Sequence, residues 1–579
     1  MTGDADGHDE LRSLLSGRTL PIQVAPTETN SEDFTVESDH SQKTFPQSVA
    51  SGGPTPSGVI LWTRIDPAAY REDEPLKLEI AADESVTDVV YRGIVDADCV
   101  TPDRDYTVNV DTDGLLESDH YYYFQFIYDG VRSRIGRCHT LPAVDASPDS
   151  LRLAVLTCQD YQNGYYGAYH HIAAEEVDFL LHVGDFIYES ANGQYKGRGS
   201  REYPDRKLTL PSGHDRVWSL DDYRYLYRTY RTDEFLQEAL ERHTLIAARD
   251  DHEFTNDIYW NDITEAPAGP SHPRGDNPEF MTRLVADALQ AWWEYLPARV
   301  RYDPAGETFC ERYRLWQCFR FGDLADLLMT DERLYRDPPR YVNSALPSWL
   351  PVSPKRGPPE RSMLGNDQHE WFLDQLRNSE ATWTVWSDEV LTVPFRIGAG
   401  AATVYPSQSG WDGYRRERRR IMAALDALDV SNFITLTGDM HCYVAGYQQT
   451  EYQDILSHLL DGTSAAVADT DSRVGVEFMT PALTSLNITE AVGANGGPLS
   501  DLAGKLLSWA VRAQNPHMEF FDSQHWGYSV VEFTPDDCTY TAYSVDKTEN
   551  SPDAEKQTLV SLRVPEGRIE IEHLPTVRS

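Results

Sequence analysis

The stretch Asp178-Phe-Leu-Leu-His-Val-Gly184-Asp185-Phe-Ile-Tyr188-Glu189 decides the reading of the fold. Its first half is apolar and of strand length. At Gly184 the run breaks, and two carboxylates and a phenol follow at Asp185, Glu189 and Tyr188. A short apolar run bounded by a glycine turn reads as a strand buried on both faces. In open α/β sheets, ligands bind beyond the carboxyl ends of such strands. Three further stretches repeat the arrangement. Residues 151–157 run into Cys158-Gln159-Asp160, and residues 244–249 into Asp250-Asp251-His252-Glu253 with Asn256-Asp257. Residues 433–437 run into Gly438-Asp439-Met440-His441.

The segments around these strands alternate in type. Helices are predicted over 166–176, 278–296, 367–377 and 415–428, and strands over 324–329 and 381–391. Strands over 528–533, 538–545 and 562–572 close the chain. This alternation gives an α/β layered catalytic domain, assigned to 143–579. Upstream, β-rich runs at 57–64, 76–80, 89–91 and 121–128 are set off by turn signals such as Pro54-Thr55-Pro56 and Asp129-Gly130. That is the pattern of a small β-sandwich, assigned to 44–142. Residues 1–43 form a polar arm. The loops over 190–218 and 338–365 are long enough to serve as lids.

Composition narrows the function. The 579 residues hold 51 Lys plus Arg against 93 Asp plus Glu, a formal charge of −42. With 40 % hydrophobic and 11 % aromatic residues there is material for a large core, which excludes a disordered acidic chain. No apolar run approaches the ~18 residues of a membrane span. The charge balance opposes a nucleic-acid-binding patch, which needs clustered Lys and Arg. Only eight of the basic residues are Lys. Acid-rich, Lys-poor surfaces suit concentrated salt, where a screening length of about 3 Å at 1 M suppresses self-repulsion; a halophilic source is expected. Seven Cys do not make a disulfide framework, and the odd count leaves at least one thiol free or metal-bound. Residues 1–20 carry neither an apolar core nor an Arg-Arg pair, so a cytoplasmic location is expected, or export where a leader precedes this sequence. A monomer is expected.

Taken singly, each strand-end residue has an ordinary explanation. Gly184-Asp185 is turn chemistry, Asp250 a helix cap, Cys158 a small buried hydrophobe. Four strand ends bearing carboxylate, imidazole, thiol and phenol call for a common cause. Like charges gathered at one edge repel, and a multivalent cation offsets that repulsion. Asp, Asn and His suit hard or borderline cations. Asp185 is placed to bridge two of them, and two metals about 3.5–4 Å apart clamp a phosphate and generate hydroxide near neutral pH. Thiolate and phenolate at Cys158 and Tyr188 favour a ferric ion. His252, beside a ligand Asp, is placed to protonate a leaving alkoxide. The competing class is a non-catalytic metal-binding or surface-interaction protein on a degenerate scaffold. It predicts missing ligands, and every ligand type is present.

Together these residues resemble the PhoD family of alkaline phosphatases and phosphodiesterases, within the calcineurin-like metallophosphoesterases. The resemblance extends through Val49-Ala-Ser-Gly-Gly-Pro-Thr-Pro-Ser-Gly-Val-Ile-Leu-Trp-Thr-Arg64, Asp331-Glu-Arg-Leu-Tyr-Arg-Asp337, Trp411-Asp-Gly-Tyr414, Glu477-Phe-Met-Thr-Pro481 and His525-Trp-Gly-Tyr528. It implies a layered metallophosphoesterase sandwich with an Ig/fibronectin III-like N-terminal domain, and hydrolysis of phosphate monoesters, diesters or both. It also implies a cluster of Fe3+ with Ca2+. By motif position, Cys158, Asp185, Tyr188 and His441 fall on the iron side; Asp185, Asp251, Asn256 and Asp439 fall on the calcium side. Asp250 is the alternative to Asp251, and Asp257 to Asn256. His252 and Asp185 take the catalytic roles, and Arg333, Arg336 and His525 contact phosphate. One position departs from the family pattern: Arg249 stands where an aromatic is expected.

Overall fold

Two mixed sheets face each other across one apolar layer. In the ten-stranded sheet, Leu151–Leu156, Phe179–His182 and Thr244–Ala247 lie side by side and parallel, as the apolar runs required. Gly527–Phe533 pairs antiparallel with the first of them and leads to Asp537–Val545, Lys556–Pro565 and Glu572–His573. In the seven-stranded sheet, Ala325–Met329, Trp383–Ser387, Phe433–Thr437 and Arg473–Met479 run parallel. The structure is a computed structural model. It describes residues 23–29, 34, 36, 41–197, 200–299, 301–303, 305–306, 309–339, 361–398, 403–405, 409–452, 470–491, 493 and 500–575. Most of the arm over 1–43 and of the loop over 338–365 lies outside them.

Side chains alternate across each strand, so one apolar run fills two cores. Leu153, Val155 and Leu181 meet Leu327, Val385 and Ile434 between the sheets. Ala154, Leu156 and Leu180 face the outer helices, among them Pro278–Tyr295, which buries Met281, Leu284, Val285 and Leu289. That helix starts where the sequence says it should. The Asn277 side chain caps it by accepting the Phe280 N–H at 2.8 Å, and Pro278 takes the first position.

The N-terminal region is joined to the catalytic sheet. Val49–Thr55 pairs parallel with Thr244–Ala247 at Gly52 and Leu245, and Gly58–Arg64 and Thr107–Asp111 extend the same sheet. A second sheet, built on Leu76–Ala81, Val89–Val95 and Tyr121–Tyr128, closes over them around Val59, Leu61, Leu78, Ile80, Phe124 and Phe126. One layer of the small sandwich is thus continuous with the large one. Thr27–Glu28, from the arm, adds to its edge against Val89–Val95.

Several element limits moved: the strand read over 381–391 is Trp383–Ser387 and the helix read over 166–176 is Gly167–Ala173. The strand read over 562–572 is Lys556–Pro565, because its pairing with Asp537–Val545 starts at Lys556 and ends at a turn around Gly567. The helices Leu220–Tyr230 and Ser500–Gln514 were not read from the sequence. The first is rich in Tyr, which has modest helix propensity, yet Tyr223, Tyr227 and Tyr230 recur at helical spacing and are buried. No helix among the described residues is long and apolar enough to cross a membrane.

Candidate metal centre

Strand register brings the four motifs to one edge. Leu156 pairs with His182, and His182 with Ala247, so Cys158, Asp185 and Asp250 all lie two or three residues past the same row. In the facing sheet Thr437 pairs with Met479, which places Asp439 and His441 beyond the matching edge. An isolated bridge between Thr157 and Ala482 stitches the two rims together.

The turns that carry the ligands are strained. Cys158, Asp185, Asp439 and His441 have φ of 55°, 59°, 64° and 55°, a left-handed conformation that costs a non-glycine residue of order 1 kcal/mol or more. Gly184 must be glycine: its φ is 101°, and a Cβ there would lie 2.5 Å from the Asp250 Cβ. The Glu253 carboxylate locks the Asp185 turn by accepting the Asp185 N–H at 2.9 Å, the Phe186 N–H at 2.5 Å and the Asp250 N–H at 2.7 Å.

Three groups of potential ligand atoms follow one another. Cys158, Asp185 and His441 form one, Asp185, Asp251 and His252 the next, and Asp250, Asp251 and Asp439 the third; within each, the atoms lie within 4.8 Å. Asp185 belongs to two groups and so does Asp251, so the donors form a chain. The Tyr188 hydroxyl joins it, 3.0 Å from Asp185 Oδ2 and 3.2 Å from His441 Nε2. His441 Nδ1 donates to the Leu486 carbonyl, which leaves Nε2 with its lone pair toward the cluster.

Electrostatics show that this donor set suits a cation. Burial pushes the Asp185 carboxyl up to about 7, with Asp251 and Asp439 adding to the rise. Burial, then Asp185, hold the Cys158 thiol well above its ordinary range. Asp250 Oδ2 is buried with no hydrogen-bond partner. Crowded, desolvated anionic donors of this kind are relieved by a multivalent ion, and the residues present fit one.

Arg333 and Arg336, expected at the phosphate, are placed otherwise. Both are sealed from solvent. The Arg333 guanidinium pairs with Asp250 through Nε, lies 2.6 Å from Asp439 through Nη2 and 3.6 Å from Asp251 through Nη1. It neutralises the carboxylates from beneath. Arg336 donates to the Ile258 and Ser409 carbonyls, which pins loops together. His525 is paired with Asp522 at 3.0 Å. The Asn256 side chain donates to Ser271 Oγ and its backbone N–H to Glu189. Asp257 serves through its N–H, donated to Asp251 Oδ2 at 2.6 Å.

The motif reading gave Glu189 no role, yet it holds His252: Oε2 lies 2.7 Å from Nδ1, and the imidazole stacks on Tyr188 at 4.1 Å. Only its nearness to Tyr188 in sequence could have marked it. Burial works against a charged His252, but Asp185, Glu189 and Asp251 together raise its pKa well above the ordinary value. Arg249 fills the aromatic position by lying 4.5 Å over the Trp292 ring while Nη2 donates to the Leu315 carbonyl. A planar guanidinium stacks where an aromatic would.

With this geometry in place, comparison with known proteins is decisive. Residues 153–542 match the PhoD-like phosphatase model, and residues 29–142 the model of the PhoD-like phosphatase N-terminal domain. The chain belongs to the PhoD-like phosphatase family. Alkaline phosphatase D of Bacillus subtilis (strain 168) is 29 % identical over 536 residues, covering 91 % of this chain and 81 % of that protein. A solved structure described as the structure of PhoD superimposes with a TM-score of 0.74 at 26 % identity, covering 93 % of this chain and 94 % of that one. This PhoD-like phosphatase is a metal-dependent hydrolase of phosphate esters.

Proposed function

We propose that hydrolysis takes place at the chain of donors running from Cys158 to Asp439, on phosphate mono- and diesters of the alkaline phosphatase type. The observation that carries this is the sharing of Asp185 and Asp251 between successive ligand groups. Cys158, Asp185, Tyr188 and His441 would hold a ferric ion, since thiolate and phenolate are strong anionic donors. Asp185, Asp251 and Asp439, with Asn256, would hold calcium through oxygen. Such metals, when bound, supply the nucleophile and neutralise the phosphate's charge.

The protein's own groups do the rest. His252 Nδ1 is committed to Glu189, while Nε2 lies 4.0 Å from Asp251 Oδ1 and so faces the cluster. A protonated imidazole held there delivers its Nε2 proton to the departing alkoxide. Arg333 positions Asp250, Asp251 and Asp439. Tyr195 packs edge-on against His252 at 4.6 Å and walls that side, which makes the loop over 190–218 part of the site.

Elemental analysis and a visible spectrum of the purified enzyme test the assignment. Iron with calcium, and a charge-transfer band that Tyr188→Phe weakens, is the expected result. A colourless, iron-free, fully active enzyme overturns the ferric side. Rates on an aryl phosphate and a bis-aryl phosphate distinguish monoester from diester preference. The acidic, Lys-poor composition further supports a salt-adapted protein that functions as a monomer.

A further inference from the structure

Helix Ser500–Gln514 presents an apolar stripe to solvent. Leu502, Leu506 and Trp509 are 56 %, 56 % and 70 % exposed. Their i, i+4, i+7 spacing sets them on one face. No other helix among the described residues carries an exposed large hydrophobic residue. The fold does not need this stripe, because the helix is already held from the opposite side. Val511 is buried with Met518 and Phe521, and Ser508 Oγ donates to the Phe521 carbonyl at 2.6 Å.

The helix's own charges run against the molecule's acidic balance. Acids outnumber bases 93 to 51 in the chain, but this helix carries Lys505 and Arg512 against Asp501 alone. Lys505 and Arg512 are exposed. With Trp509 they wall one side of a groove of about 1600 Å3, whose other side carries Glu519, Asp522, Glu555 and Lys556.

We propose that helix Ser500–Gln514 docks the enzyme on a phospholipid surface. Leu502, Leu506 and Trp509 enter the acyl boundary, and Lys505 and Arg512 pair with lipid phosphates. Leu and Trp on one face with Lys and Arg beside them is the composition of helices that lie in a membrane interface. A second copy of the chain fits less well, since a symmetric contact sets like charges on the two helices against each other and joins two molecules of charge −42. The net charge gives docking an unusual salt dependence. At 0.15 M the protein's field repels an anionic bilayer over a screening length of about 8 Å; at 1 M that falls to about 3 Å and the apolar stripe decides. Binding therefore strengthens with salt.

Flotation of the full chain with vesicles of phosphatidylcholine, alone or mixed with phosphatidylglycerol, at 0.15 M and 2 M NaCl tests this. The wild type is expected to float, more at 2 M. The double variant Leu506→Glu, Trp509→Glu should lose at least tenfold in partitioning, with turnover of a soluble aryl phosphate unchanged to show that it is folded. Lys505→Glu with Arg512→Glu should weaken flotation with both vesicle types at 0.15 M, because both lipids carry the phosphate that the two cations meet. A wild type that stays in solution with every vesicle overturns the proposal, as does flotation indifferent to Leu506→Glu, Trp509→Glu. A dimer by light scattering that Trp509→Glu dissociates would assign the stripe to a second copy instead.

Discussion

His252 Nδ1 sits 2.7 Å from Glu189 Oε2, and the other Glu189 oxygen accepts from Tyr195 Oη at 2.5 Å, Arg216 Nη1 at 3.0 Å and the Asn256 N–H at 3.1 Å. The carboxylate cannot rotate without breaking all four contacts, so it fixes both the orientation and the protonation of the imidazole. Glu189→Gln removes one of the charges that hold the His252 pKa up. The proton is then lost at lower pH, and the alkaline limb of the rate profile should move acidward. The loss in kcat should be larger for an alkyl ester than for a p-nitrophenyl ester, whose leaving group needs no proton; a general-acid contribution is typically 10²- to 10⁴-fold. An unmoved pH profile would remove Glu189 from the mechanism.

Asp185→Asn replaces one of the two carboxylates shared between successive ligand groups, the one on the Cys158 and His441 side, with a neutral amide. Activity should fall to background and metal content should drop, as measured by turnover and elemental analysis of the same sample. Near-wild-type turnover with unchanged metal would exclude Asp185 as a bridge.

The strand ends were legible in the sequence because they combine two independent signals, an apolar run and an abrupt change to ligand-type side chains. Cys158, Asp185, Asp251, Asp439 and His441 were found that way, and register then brought them together. What the sequence does not show is direction. Arg333 and Asp251 both look like solvent-facing polar residues, and only packing reveals that one guanidinium underlies three carboxylates. The sharing of a sheet between Val49–Thr55 and Thr244–Ala247 was equally hidden, because a pairing across nearly two hundred residues leaves no local trace.

Arg333→Met tests that buried cation. Removing one partner of a buried ion pair costs about 3–5 kcal/mol because the other charge stays behind uncompensated. Denaturant unfolding should show a loss of that size, and excess calcium should recover part of it by taking over the neutralisation of Asp251 and Asp439. Arg336→Met, which breaks bonds to the Ile258 and Ser409 carbonyls, should also destabilise but without rescue by calcium. Equal rescue of both variants would show that calcium acts elsewhere.

Acid should unfold the protein through buried histidines that hold no place among the candidate ligands. Burial lowers His182 to about 3, and burial with the nearby Arg396 charge lowers His517 to about 3. In the unfolded chain both return to about 6.5. Between these values the unfolded state binds the proton and the folded state does not. The associated stability is complete above about pH 6.5 and is lost as pH falls toward 3, with a slope of up to about 1.4 kcal/mol per pH unit for each group. His517 Nε2 donates to the Pro394 carbonyl at 2.9 Å, a bond that an amide can keep. His517→Gln should therefore flatten the dependence between pH 7 and pH 5 by about one proton, in urea titrations of wild type and variant under identical metal conditions so that the metal ligands' contribution cancels in the difference. A slope identical to the wild type would mean that His517 is already protonated in the folded protein and finds an acceptor the native packing does not display.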